Sequence, residues 1–276
     1  MNLVIQGPGA TTTHAADLAQ RLGAKAIDAL EGPAFRLRGG RRLDDIAAWC
    51  ESRAIDLAWV AEGRRFSELK LLAMDMDSTL ITIECIDEIG GMLGIKPEIA
   101  AITEAAMRGE IDYPESLRKR VQLLAGLEVS ALARVYDEKL HLSPGAERLV
   151  ERCKAAGVRL LLVSGGFTWF TDRLKERLGL DETLSNVLDI AGGRLTGRLV
   201  GGIVDADAKA ARFREVAAAL GATRAQTAAM GDGANDLKMM AEAGLSVAFR
   251  AKPVVRAQAS CAFMHCGLDG LLNLYE

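Results

Sequence analysis

Leu71-Leu72-Ala73-Met74-Asp75-Met76-Asp77-Ser78-Thr79-Leu80 is the stretch that decides the fold. Four consecutive apolar residues read as a short strand buried on both faces, the kind found in parallel sheets. Two carboxylates, Asp75 and Asp77, follow it at once. Open α/β sheets bind ligands outside the carboxyl ends of their strands, so both acids can reach one ligand there. Acidic residues also end strands for no chemical reason, and the pair alone decides little.

Working outward, three more apolar runs at 158–163, 227–230 and 245–249 alternate with helical patterns near 144–156, 167–178, 208–220 and 235–243. Such alternation predicts an α/β fold with a doubly wound, mostly parallel sheet. Gly192-Gly193 between 187–190 and 195–200 predicts a hairpin. Between Leu80 and Ser143 only helical patterns occur, near 84–93, 96–108, 114–125 and 129–140. They predict a helical cap inserted at about 80–143, over the carboxyl edge of the sheet.

Residues 1–68 read as a separate small unit. Strand-like runs at 3–5, 24–27, 34–38 and 55–60 enclose two helical patterns, Ala15 to Leu22 and Leu43 to Cys50. That βαββαβ order is the ferredoxin-like split motif. The chain of 276 residues thus divides into 1–68 and 69–276, in keeping with roughly 150 residues per domain.

Three further stations carry chemistry. Val163-Ser164-Gly165-Gly166 ends the second core strand, and a hydroxyl with bare backbone N–H groups suits a phosphate oxygen at a helix N-terminus. Lys209 starts another predicted helix, where a fixed cation can neutralise phosphate. Met230-Gly231-Asp232-Gly233-Ala234-Asn235-Asp236 sets two carboxylates and an amide after a third strand. Hard oxygen ligands beside a phosphate are what Mg²⁺ prefers. Each station has a bland reading as a turn or a surface charge. Four of them at strand ends of one sheet do not.

DMDST, SGG, Lys209 and GDGAND together resemble the four motifs of the haloacid dehalogenase-like (HAD) phosphohydrolases, across residues 69–276. That resemblance implies a HAD-like core and a Mg²⁺-dependent reaction. In it Asp75 is the nucleophile that becomes an aspartyl-phosphate, and Asp77 is the general acid and then the base. It also implies that Asp75, the Asp77 backbone carbonyl and Asp232 hold the metal, with Asp236 in support. Ser164, the Gly165 amide and Lys209 bind the phosphoryl group, with Asn235 close by. Glu84 to Ile89, Met107-Arg108-Gly109 and Ser116 to Val121 resemble the branch of the family that acts on phosphoserine, as do Ser164 to Phe167 and Ala251-Lys252-Pro253. The implied substrate is then O-phosphoserine, hydrolysed to serine and phosphate in the last step of serine biosynthesis. Glu84 meets its ammonium, Arg120 its carboxylate, and Met107 and Tyr113 form an apolar lid. That branch usually has Phe where Tyr113 stands. The rival reading keeps the chemistry but acts on another small phosphomonoester, or transfers the phosphoryl group to an alcohol.

Composition limits the partners. The 34 basic and 37 acidic residues leave a net charge of -3, which argues against a nucleic-acid partner. No apolar run is long enough to cross a membrane. Five scattered cysteines without a CxxC spacing fit a reduced, cytoplasmic protein. Cys261, His265 and Cys266 lack a second ligand pair and carry no zinc prediction. The arginines at 36, 38, 41 and 42 read as a solvated hairpin. The βαββαβ unit resembles ACT-type regulatory domains, which implies serine binding and pairing into a homodimer. An appendage that only dimerises the chain, or is purely structural, is the equal alternative.

Overall fold

The computed structural model describes all residues from Met1 to Glu276. Its first unit runs β1 (Asn2–Gln6), α1 (Thr12–Leu22), β2 (Ala26–Ala29), β3 (Ala34–Arg38), α2 (Ile46–Glu51) and β4 (Asp56–Val60). The strands form an antiparallel sheet in the order β2-β3-β1-β4, which is the ferredoxin-like arrangement expected from the sequence. Thr11 caps α1 by accepting from the His14 N–H at 3.2 Å, and Gly23 ends it at φ +66°. Strand alternation then sorts the core. Leu3, Ile5 and Leu37 pack under the helices with Leu18, Leu22 and Ile46, whereas Val4, Ala58 and Val60 join the larger core of the rest of the chain.

The second body begins with β5 (Leu71–Met74). The four helices of the cap follow it: α3 (Cys85–Leu93), α4 (Lys96–Met107), α5 (Tyr113–Gln122) and α6 (Val129–Glu138). Then come α7 (Ala146–Ala155), β6 (Arg159–Phe167), α8 (Thr168–Leu178), β7 (Glu182–Ala191) and β8 (Arg194–Val200). The chain closes with α9 (Ala206–Ala219), β9 (Thr227–Gly231), α10 (Leu237–Glu242), β10 (Leu245–Phe249), α11 (Pro253–Arg256) and β11 (Cys261–Phe263). The seven strands order as β11-β10-β9-β5-β6-β7-β8, all parallel except the β7–β8 hairpin. Both turn glycines there, Gly192 and Gly193, have positive φ (57° and 76°), as a tight two-residue hairpin requires. Central β5 is buried on both faces. Leu72 and Met74 join the core that includes the cap, and Leu71 and Ala73 join the layer of Phe213, Met239 and Met240.

Three expectations shift. The first unit's second strand is Ala26–Ala29 rather than 24–27. Ser164-Gly165-Gly166 does not open a helix: β6 continues through it to Phe167, with an irregular register against β7, and α8 starts only at Thr168. Glycines read as a helix entry because they break strands, but here an irregular strand end uses them. The third is an addition, short β11 and the 3₁₀ stretch Leu268–Leu274, which lack any periodic signal.

Polar groups tie the two bodies together. Arg36, read from the sequence as solvated, is instead 2% exposed and donates to the carbonyls of Asn273 (2.9 Å) and Tyr275 (2.6 Å). The Asp56 carboxylate accepts from three successive backbone N–H groups, Met264 (2.9 Å), His265 (2.8 Å) and Cys266 (2.8 Å). No helix of the chain is long and apolar enough to cross a membrane.

Candidate active site

After β5 the backbone makes one irregular turn over Met76–Leu80, in which Ser78 takes φ +54°, a strained value for a residue with a side chain. That turn fixes the two acids. Asp75, nearly buried, accepts from the Met76 N–H at 2.7 Å through Oδ1. Asp77 Oδ1 accepts from the N–H of Cys85, the first residue of α3, at 2.8 Å. Its Oδ2 accepts from the Ser164 hydroxyl at 3.3 Å, and Ser164 Oγ in turn accepts from the Gly166 N–H at 2.8 Å. Asp77 therefore bridges the sheet edge and the first cap helix. A side chain on Gly166 would put its Cβ 2.7 Å from Asp77 Oδ2, which explains the glycine.

Lys209 stands in the first turn of α9, whose start is capped by Asp205 accepting from the Ala208 N–H at 2.9 Å. It is fully buried, with Nζ 2.9 Å from Asp75 Oδ1 and 2.7 Å from Asp236 Oδ1. Asp236 Oδ2 accepts from the Gly233 N–H at 3.0 Å, so both of its oxygens are engaged. Asp232 Oδ1 accepts from the Thr79 hydroxyl at 3.1 Å. One oxygen each of Asp75, Asp232 and Asp236 lies within 4.8 Å of the others.

Three carboxylates thus surround one ammonium, leaving an excess of two negative charges in a buried place. The titration shifts follow from that excess. Burial, then Asp236 and Asp232, hold the Asp75 carboxyl well above its usual range in spite of Lys209. Burial and Asp236 push Asp232 up to about 6. Burial alone would lower Lys209, but Asp236 and Asp75 overcome it and hold the ammonium above its ordinary value. Hard oxygen donors carrying two surplus negative charges fit a divalent cation such as Mg²⁺. Burial also raises Asp77.

Above this floor a cavity of about 810 Å³ opens toward the cap. Asp75, Asp77, Gly165, Asp232 and Asn235 line it from the sheet side, and Glu84, Met107, Tyr113 and Arg120 from the cap. Ser164, Lys209 and Asp236 are wholly buried just beneath. All the residues expected from the sequence therefore converge. Glu84 accepts from the Ser78 hydroxyl at 2.6 Å, and burial with the neighbouring Asp77 lifts it to about 7, although water in the cavity reaches it. Arg120 donates through Nε to the Ser116 carbonyl at 3.4 Å, one helical turn back.

The lid differs from expectation. Tyr113 is not simply apolar, because its hydroxyl crosses from cap to core and donates to the Gly165 carbonyl at 3.3 Å. Met107 lines the cavity but is 66% exposed, so it does not exclude water in this conformation. Asp87, Thr103, Ser116, Phe167 and Lys252 also line the cavity without having been assigned there from sequence. Asp87, Ser116, Phe167 and Lys252 lie inside the stretches that carry the family resemblance, whereas no motif or spacing marks Thr103.

The family model described as haloacid dehalogenase-like hydrolase matches residues 72–241. The chain belongs to that family. Within it, a phosphoserine phosphatase of Polaromonas sp. is 58% identical over 217 residues, covering 77% of this chain and 92% of the relative. The crystal structure of a probable phosphoserine phosphatase from Vibrio cholerae superposes with a TM-score of 0.86 at 36% identity, over 99% of this chain and 85% of that one. A HAD family hydrolase from Salmonella enterica serovar Typhi gives 0.90 at 30% identity, over 100% and 98%. Homology at this level makes the chain a phosphatase enzyme.

Proposed function

We propose that the chain hydrolyses O-phosphoserine to serine and phosphate through an aspartyl-phosphate on Asp75. The reading rests on one cavity with two chemistries: a buried carboxylate–lysine floor, and above it a cap wall carrying Glu84 and Arg120. The names of the similar relatives support the same substrate. Uncatalysed phosphate monoesters hydrolyse so slowly that a site must remove about 20 kcal/mol or more of barrier.

An Asp75 carboxylate oxygen attacks phosphorus as the ester oxygen leaves, dividing one difficult displacement into two. Asp77, whose raised pKa helps it to keep a proton, protonates the departing serine oxygen. It then takes a proton from the water that opens the acyl phosphate. The Ser164 hydroxyl, the Gly165 amide and Lys209 hold the phosphoryl oxygens, and Asn235 stands beside them. Asp75, Asp232 and the Asp77 carbonyl, with Asp236 behind, would hold Mg²⁺, which would supply positive charge to offset that of the transferring phosphate. On the cap, Glu84 meets the substrate ammonium and the Arg120 fork its carboxylate.

We also read the chain as a unit at 1–68 joined to a catalytic part at 69–276 whose cap spans about 80–143, working in the cytoplasm with its five cysteines free. Serine binding and homodimer formation through the first unit belong to the same reading. Calorimetric titration of the intact protein with L-serine and sedimentation of the full chain check them.

Phosphate release from a panel of phosphomonoesters with Mg²⁺ tests the function. O-Phosphoserine is expected to be the best substrate. Asp75→Asn is expected to lower kcat by about a thousandfold or more, and Arg120→Ala to raise KM for phosphoserine by about tenfold or more. Preference for an ester without an amino-acid moiety overturns the substrate. Turnover that survives Asp75→Asn overturns the mechanism.

A further inference from the structure

The charges that line the catalytic cavity do not balance. Asp75, Asp77, Glu84, Asp87 and Asp232 face it. Lys209 lies beneath and is committed to Asp75 and Asp236. Two cations remain on the walls: Arg120 on the cap and Lys252 on the core. Lys252 is exposed, and its ammonium's one polar neighbour is the thioether of Met107 on the cap, 3.7 Å away. A thioether is a weak acceptor, so this ammonium has no strong partner.

Its placement is built into the chain. Past β10, Arg250 takes φ +48° while its N–H donates to the Phe263 carbonyl at 2.7 Å. A positive φ on a residue with a side chain is strained and persists where the surroundings impose it. Pro253 then starts α11, and Lys252, Val254 and Val255 come to the cavity wall. Phosphoserine brings a phosphate, a carboxylate and a single ammonium into a space already rich in acids. A carboxylate has about four lone-pair sites, and a bidentate guanidinium uses only two of them.

We propose that Lys252 is a specificity-determining residue, a second cationic contact for the carboxylate of an amino-acid phosphate, reaching from the core opposite Arg120 on the cap. This rests on the phosphoserine reading above. On substrate entry the ammonium exchanges the Met107 sulfur for a carboxylate oxygen, which ties the cap's end of the cavity to the core.

The test compares phosphoserine with phosphoethanolamine, which has the same phosphate and ammonium but no carboxylate. Wild type, Lys252→Met and Lys252→Arg are measured at low and high salt. Lys252→Met keeps the apolar stem against Met107, so packing is retained. It is expected to raise KM for phosphoserine about tenfold, the effect of losing one charge-assisted contact, with the loss in KM rather than kcat. For phosphoethanolamine the KM, or the inhibition constant where turnover is too slow to follow, is expected to move less than about twofold. Lys252→Arg restores most of the selectivity.

An equal rise for both ligands that vanishes at high salt overturns the contact in favour of long-range steering. No rise for either, or a loss confined to kcat, also overturns it. A wild type that does not prefer phosphoserine overturns the substrate reading and the Lys252 assignment together. A selective wild type with an indifferent Lys252→Met overturns Lys252 alone.

Discussion

Two cavities lie on either side of α11. One is the catalytic space of about 810 Å³, and the other, of about 330 Å³, lies in the seam between the N-terminal unit and β11. Both are lined by charged residues, but the charges are used differently. In the seam, Asp56 accepts three backbone N–H groups, and Arg256 pairs with Glu51 at 3.3 Å. In the catalytic cavity, three carboxylates crowd one ammonium, while Arg120 and Lys252 have only a carbonyl and a thioether. Paired charges hold surfaces together. Unbalanced buried charges such as those of Asp75 and Asp232 are held above the usual carboxylate range, as the acids of a candidate functional site are.

This contrast breaks most readily at Lys209. Lys209→Met leaves Asp75 and Asp236 buried without their cation and is expected to destabilise the protein by about 3–5 kcal/mol. Urea unfolding measures it, and a loss under about 1 kcal/mol would show that the floor is not held by this ammonium. Asp56→Ala comes next. Orphaning three backbone donors in the seam is expected to cost about 2–3 kcal/mol, while kcat stays near wild type. A parallel fall in kcat would mean that the seam takes part in catalysis.

The pH response sharpens the other half of the comparison. Asp232 and Glu84 titrate in the folded protein near 6 and 7, above their ordinary values. Between those ordinary values and the folded ones, the native state holds protons that the unfolded chain has released. Stability without metal must therefore fall as pH rises from about 4 to about 7. Solvent in the cavity screens both groups, which limits the fall to about 1–2 kcal/mol. Melting in EDTA across that range should show it, and added Mg²⁺ should flatten the slope by occupying the carboxylates. A metal-free protein that gains stability toward pH 7 contradicts the assignment. Smallest is Glu51→Ala, which removes a rim partner of Arg256 that is 71% exposed and should change stability by under about 1 kcal/mol. A larger effect would make the seam's ion pair more than surface decoration.

Much of this was legible in the residues alone. The apolar run at 71–74 fixed a buried strand, the double glycine at 192–193 a hairpin, and the helical periods between 84 and 140 a cap. The acids after the first strand, Ser164, Lys209 and the Asp232-to-Asp236 loop do meet at one sheet edge. What escaped was whatever had no period or spacing. Glycines at 165–166 break a strand and open a helix with equal ease, so the irregular end of β6 was invisible. No spacing marks Lys252 within Ala251-Lys252-Pro253, because its polar neighbour Met107 is 145 residues away in the chain.

The sequence by itself determined most of the elements, their order and the inventory of candidate catalytic groups, because strand and helix periods and motif spacings are short-range properties. Only the tertiary structure decided how the charges are shared out. Asp56 became a docking acid rather than a site residue, and Lys209 was matched to Asp75 and Asp236, which lie far from it in the chain. Coulombic and hydrogen-bond energies depend on separations of a few ångströms and on burial, and packing alone sets those between residues distant in sequence.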